Sequence, residues 1–321
     1  MALAGTVISA GADSQPRFLN DSAAPAPIHE STLSPSSARP IVWTQLSALH
    51  PSKIGFPDAT TVGPAAGTVF RDFAGELEIH QDGAVIDGWR VKGAITVDAN
   101  NVTIRNCEVN ATGEIWGISL ADGHSGLKVT NCRVYAVPVA DDYDGTHTLT
   151  GIGGDQIEVG FSDISGVENA ISTGNGYIHD NYIHDFAAWD GRDNHTDGLQ
   201  TYGWEGAGGL RVIHNTIIGI ITGGTYTPTR YLAGSSAIAL SEAMHDLTID
   251  GNLFAGGTYA LYGPSQKGSS PKSVHVTNNS FSNYYFPNCG QFGFSDGFNP
   301  KAPDFVWSGN VVHETGAIIG P

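Results

Sequence analysis

An all-β solenoid, a parallel β-helix of about nine coils, is the fold this sequence predicts. Three observations predict it: a short strand motif recurs along the chain, a small polar residue recurs inside it, and the composition suits short strands. Glycine is abundant at 42 residues and charged residues make up only 15% of the 321 positions. That balance favours short strands and tight turns over long helices.

Residues 1–40 are rich in Ala, Ser and Pro, with A-A-P-A-P from Ala23 and S-P-S-S-A-R-P ending at Pro40. They read as a linker or attachment arm. Residues 41–76 carry apolar residues without period and read as a lead-in that caps the first turn. The start of the chain is mildly apolar but lacks a basic region, so it is a poor match to a signal peptide.

From Leu77 to the end at position 321 the repeat takes over. V-T-I-R-N-C-E-V from Val102 aligns with L-K-V-T-N-C-R-V from Leu127 and R-V-I-H-N-T-I from Arg211. Further copies begin at Ile157, Tyr177, Leu247, Val274 and Phe305. The polar column is Cys107, Cys132, Ser162, Asn181, Asn215, Asn252, Asn279 and Asn310, with Trp89 in an earlier copy. From Trp89 to Asn310 it advances about 28 residues per repeat, with gaps from 18 to 37. Between the copies lies a second short strand, at Gly117, Gly151, Ala170, Gly198, Ala237 and Ala260. Strands of this kind repeating every ~20–30 residues are a solenoid signature. Coils spaced ~4.8 Å apart make nine of them a rod roughly 40 Å long.

The Asn column has a physical reason. A bend leaves backbone amides that the strand ladder does not use. Inward Asn side chains cap them and bond from coil to coil. Cys107 and Cys132 read as small buried fillers of the same column, adjacent and free. Three cysteines are no disulfide framework, and Cys289 falls outside the column. The rod's other end is expected to be closed by Phe305–Pro321 or by a partner chain.

A net charge of −17 argues against nucleic acid and anionic membranes as partners. Such an acidic balance suits a protein outside the cell, or one that recruits cations. No apolar run is long enough for a membrane-spanning helix.

Ionisable residues concentrate between Tyr177 and Ile217. Y-I-H-D-N-Y-I-H-D supplies His179, Asp180, His184 and Asp185; N-H-T-D-G-L-Q-T-Y-G supplies His195, Asp197, Gln200 and Tyr202. Sugar chemistry needs one group to protonate a leaving oxygen and another to activate water. A lyase needs a base and a cation to stabilise its anion. The candidate catalytic set is Asp197, His195 and His184. Gln200, Trp189, Arg192, Tyr202 and Trp204 are the candidate substrate contacts, with Trp116, Tyr259 and Tyr262 as further stacking rings. His179 and Asp180 read rather as turn-satisfying corner residues, and His184 and Asp185 fit either role. Strand stacking places Gln200 between Ser172 and Ala239. The loop with Asp141, Asp142, Asp144, Gly145 and His147 lacks a full calcium-loop spacing. No cofactor is therefore expected, calcium being the one ion left open.

The repeat from Val85 to Val312 resembles the right-handed parallel β-helix superfamily of pectate lyases, polygalacturonases and phage tailspikes. N-H-T-D-G-L-Q is similar to the N-T-D-G segment of polygalacturonases, which implies a catalytic carboxylate at Asp197. The D-D, G-H-G and R-I-K motifs of that family have no counterpart here. The resemblance implies a glycoside hydrolase or polysaccharide lyase acting on an extracellular or cell-surface glycan. Its alternative is a tailspike or minor tail protein of a virion, homotrimeric, that binds host glycan with or without depolymerase activity.

Overall fold

The computed structural model describes residues 50–137, 148–189, 194–224, 233–265 and 269–321. The arm, Asp141, Asp142, Asp144, Gly145 and His147 of the acidic loop, and Asp190, Arg192 and Asp193 lie outside the described residues. The described residues all belong to one unit, Ser47–Pro321.

The fold is a parallel β-helix. Each coil contributes one short strand to each of three sheets. The first sheet has ten strands, from Arg71–Ala74 to Val311–Val312. The second has nine, from Leu77–Ile79 to Gly293–Asp296, and the third nine, from Val85–Asp87 to Phe305–Ser308. Strands pair in parallel with their neighbours one coil away.

Aliphatic side chains stack in register along the interior. In the second sheet Ile95, Ile118, Ile152, Ile171, Leu199, Ile238 and Leu261 form one column. Val109, Val134, Ile164, Ile183 and Ile217 do the same in the first sheet. Val129, Val159, Ile178, Val212 and Ile249 do so in the third. All are buried. Each such side chain contributes roughly 1.5–3 kcal/mol by leaving water. Branched residues suit these positions because they fit a pleated, buried surface.

The corner between the third and first sheets turns on a single left-handed residue. Asn106, Asn131, Phe161, Asp180, His214 and Asn278 have φ between 51° and 55° there, and Gly88, Gly251 and Gly309 lie at 65–71°. Asn, Asp and Gly tolerate this conformation, which explains their recurrence at the position. The next residue along the chain belongs to the polar column. Asn181 Nδ2 donates to Asn215 Oδ1 (2.9 Å), Asn215 to Asn252 (3.0 Å), Asn252 to Asn279 (2.9 Å) and Asn279 to Asn310 (2.9 Å). Each Oδ1 also accepts the backbone N–H of the preceding column residue, as Asn252 does from Asn215 (2.8 Å). Cys107 and Cys132 continue the column as free, buried thiols, and Ser162 Oγ accepts from the Cys132 N–H at 3.1 Å.

Among the described residues Phe161 is the one large apolar side chain in the left-handed column, and it is 41% exposed. Its ring makes an edge contact with His179 at 5.3 Å. A bulky residue costs about 1–2 kcal/mol in this conformation, which Asn largely avoids. Phe161→Asn is therefore expected to raise the thermal midpoint. Phe161→Ala, which keeps the backbone cost and loses the ring contact, is expected to lower it. An alanine variant as stable as the asparagine one would show that the backbone is not the source of the effect.

The lead-in extends well beyond the first coil, contrary to the expectation from sequence. Residues 50–63 run as a strap along the left-handed corners of later coils. Gly63 N–H donates to Phe161 O at 2.8 Å, His214 Nε2 donates to Gly55 O at 2.7 Å, and Phe56 packs on His214 and His313. Its own turn is held by Asp58, which accepts from Ser52 N–H and from Thr60 N–H and Oγ–H. At the far end the tail folds back on the last strands. Val312 N–H donates to Ala317 O, and Trp307 Nε1–H to Ile319 O.

Candidate functional site

The strand Asp197–Gln200 sits in the second sheet between Asn169–Ser172 and Ser236–Ala239. Gln200 pairs with Ser172 on one side and Ala239 on the other, as the strand alignment predicts. A regular strand would put Asp197 on the same face as the core residue Leu199. The second sheet avoids this by turning in two consecutive residues. At Ala170/Ile171, Ala237/Ile238 and Ala260/Leu261 both positions belong to the core. In the Asp197 strand the matching pair is Gly198 and Leu199; a Cβ on Gly198 would meet Ile217 at 2.4 Å. Asp197 and Gln200 consequently share a side, and Gln200 Nε2 lies 3.5 Å from Asp197 Oδ2.

Asp197 is 1% exposed, which corrects the expectation that it stands in an open groove. Neighbouring strands enclose it. Ser236 Oγ donates to its Oδ1 at 2.7 Å, and its own N–H donates to Asn169 Oδ1 at 3.1 Å. Burial pushes the carboxyl up to about 6. The Ser236 hydrogen bond and the His195 ring oppose that shift, while Glu168 adds to it. His195 itself is exposed, and its N–H donates to the buried Glu168 carboxylate at 3.0 Å. Glu168, Asn169 and Ser236 were not singled out by sequence. The only signal for them was their alignment in the column of second strands, Glu168 beside Thr196 and both Asn169 and Ser236 beside Asp197.

His184 is not part of this group. It belongs to the first-sheet strand Tyr182–His184, and its partners are Asp163, Asp185 and Tyr182. Nε2 donates to Asp163 Oδ1 at 3.1 Å and Nδ1 to Asp185 Oδ2 at 2.7 Å. The ring stacks on Tyr182 at 4.1 Å. Proximity in sequence suggested a shared site; the solenoid assigns consecutive strands to different faces. Asp185 holds a left-handed turn (φ 53°), and so does Asp180, which accepts from His179 Nδ1 at 2.8 Å. Both Y-I-H-D copies thus use the same corner geometry.

Burial pulls the His184 imidazole down, and the hydrogen bonds to Asp163 and Asp185 more than reverse this, bringing it up to about 9. The stabilisation is complete below about pH 6.5, the ordinary imidazole value, and is lost as pH rises through about 9. It amounts to about 3 kcal/mol at most. Comparing unfolding midpoints of the wild type and His184→Gln at pH 6 and pH 9.5 is expected to show a gap that narrows at the higher pH. A gap that stays constant would mean that the imidazolium is not the stabilising species.

The aromatic candidates divide. Trp189 is buried, 3% exposed, which corrects the expectation that its ring is an open stacking surface. Asn194 clasps the Trp189 backbone, accepting from its N–H and donating to its carbonyl. Tyr202 is 55% exposed. Trp204 is half-buried and lies on Gly174, where a Cβ would meet its Cγ at 2.3 Å. Trp116 lies similarly on Gly153. Tyr259 and Tyr262 meet edge to face at 5.2 Å. Burial first, then Tyr259, Asp296 and Asp197, push the Tyr262 hydroxyl up to about 12. The second sheet therefore holds a buried Asp197 beside a half-buried Gln200, with aromatic rings in earlier and later coils of the same sheet.

Among the described residues no three His, Cys, Asp or Glu side chains converge as a metal site. Comparison with protein-family models, with curated proteins and with solved structures gives no match to this chain.

Proposed function

We propose that this β-helix takes an extracellular or cell-surface polysaccharide along the outer side of its second sheet, and that it processes it through Asp197. The observation that supports this reading is the raised Asp197 carboxyl beside Gln200, on a floor flanked by Trp116, Trp204, Tyr259 and Tyr262. A carboxyl that titrates near 6 still holds a proton where ordinary carboxylates have lost theirs. It can donate that proton to a glycosidic oxygen. Glu168 and His195 supply the second ionisable group that such chemistry requires. This role favours hydrolysis over β-elimination.

The second reading is a virion tail protein that binds the same kind of glycan without cleaving it. The burial of Asp197 favours it, because a structural carboxyl bonded to Ser236 needs no substrate. Incubation with a panel of bacterial and plant polysaccharides tests both. New reducing ends without an absorbing product indicate a hydrolase. A rise in the unsaturated-uronate band indicates a lyase. Retention on a glycan without any product supports the binding reading and removes the catalytic one.

A further inference from the structure

The third sheet, a different sheet from the one that holds Asp197, carries a groove of about 500 Å³. It crosses four adjacent coils, because its rim follows one register column: Lys128, Glu158, Tyr177 and Arg211. Its floor is backbone at Gly176 and Gly209. A Cβ on Gly176 would lie 2.2 Å from Ile157 O, so that position admits no side chain, and Gly209 holds a left-handed φ of 90°. An open, shallow floor of this kind leaves room for one face of a sugar ring.

Arg211 sets the chemistry. Its guanidinium lies over the Tyr177 ring at 4.4 Å, and that ring stacks in turn on His179 at 4.1 Å. The stack holds the guanidinium flat and exposed. Among the described residues it has no hydrogen-bond acceptor and no carboxylate partner. Its donor fork is therefore positioned and open to solvent, the arrangement that matches a carboxylate or sulfate. Glu158 would repel such an anion, but Lys128 neutralises it at 2.8 Å. In a chain of net charge −17, Arg211 differs from Arg71 and Arg133, which also lie over rings, in that it borders the groove.

We infer that this groove is a second binding site, separate from the Asp197 face, for an acidic sugar unit. The anionic group pairs with Arg211 and the ring lies on the glycine floor. The sugar assignment rests on the polysaccharide reading proposed above, but not on Asp197 being catalytic. Calorimetric titration of the full chain with a short uronic-acid oligosaccharide, its neutral hexose counterpart and inorganic sulfate tests it. The acidic oligosaccharide is expected to bind, and Arg211→Gln to weaken it at least tenfold. Lys128→Gln leaves Arg211 in place and unmasks Glu158, so it is expected to weaken binding as well. Asp197→Asn is expected to leave this affinity unchanged. Equal binding by wild type and Arg211→Gln would overturn the site. So would equal affinity for the neutral counterpart. Sulfate binding as tightly as the oligosaccharide would overturn the sugar assignment, and loss of binding in Asp197→Asn would merge the two sites.

Discussion

Asn215→Leu is expected to destabilise the protein by about 4 kcal/mol, because it removes one rung of a continuous ladder of side-chain amides. Asn215 Oδ1 accepts from both the N–H (3.0 Å) and Nδ2 (2.9 Å) of Asn181. Its Nδ2 donates to Ile178 O (3.0 Å) and Asn252 Oδ1 (3.0 Å). Every one of these groups is away from water, so leucine leaves several donors and acceptors unpaired at once. Each orphaned group costs about 1–3 kcal/mol, and only part of that is recovered by local rearrangement. Asn215→Ser is the informative companion. Serine already occupies the column at Ser162, where its hydroxyl accepts the preceding N–H and donates to Gly160 O at 2.9 Å. It should retain about half of the stability lost to leucine. Denaturant titration of the three proteins checks the ranking. Equal midpoints for Asn215→Leu and wild type would mean that the ladder is ornamental.

The ladder and the aliphatic columns were legible in the sequence for the same reason. A solenoid repeats one local environment in every coil, so Asn181, Asn215 and Asn252 reveal their role by recurring. The left-handed residue before them was only half legible. Gly88, Gly251 and Asn278 announce it, but Phe161 and His214 hold the same backbone without the matching side chain. The site was less legible because it does not recur. The Asp197 environment is made by Ser236, 39 residues further on, and by Glu168 in the preceding coil. Nothing in N-H-T-D-G-L-Q names either partner. His184 was misplaced by the opposite error. Its distance along the chain from Asp197 is short, yet the intervening corner carries it to another sheet. Trp189 shows that an aromatic residue in a polar stretch of sequence can be buried instead of offered as a stacking face, with Asn194 holding its backbone.

Asp197→Asn is expected to abolish turnover if the proposed chemistry is right, and to make the folded protein more stable. The two effects have one cause. Burial raises the carboxyl to about 6, so the fold favours its protonated form. Below about pH 3 the group is neutral whether folded or unfolded, and it costs nothing. Between pH 4 and 6 the unfolded chain ionises first, and the penalty grows. Above pH 6 the buried anion is fully present and costs about 2–3 kcal/mol. Asparagine keeps the shape and can still accept the Ser236 hydroxyl, but it carries no charge. Its advantage over the wild type should therefore be small at pH 4 and complete by pH 7.5. Thermal unfolding at those two values measures it, and polysaccharide turnover on the same samples measures the function. Lost turnover with gained stability at neutral pH is the mark of a carboxyl maintained against its own folding cost. Retained turnover would remove Asp197 from the chemistry, and an unchanged midpoint at pH 7.5 would show that its anion is not penalised by the fold.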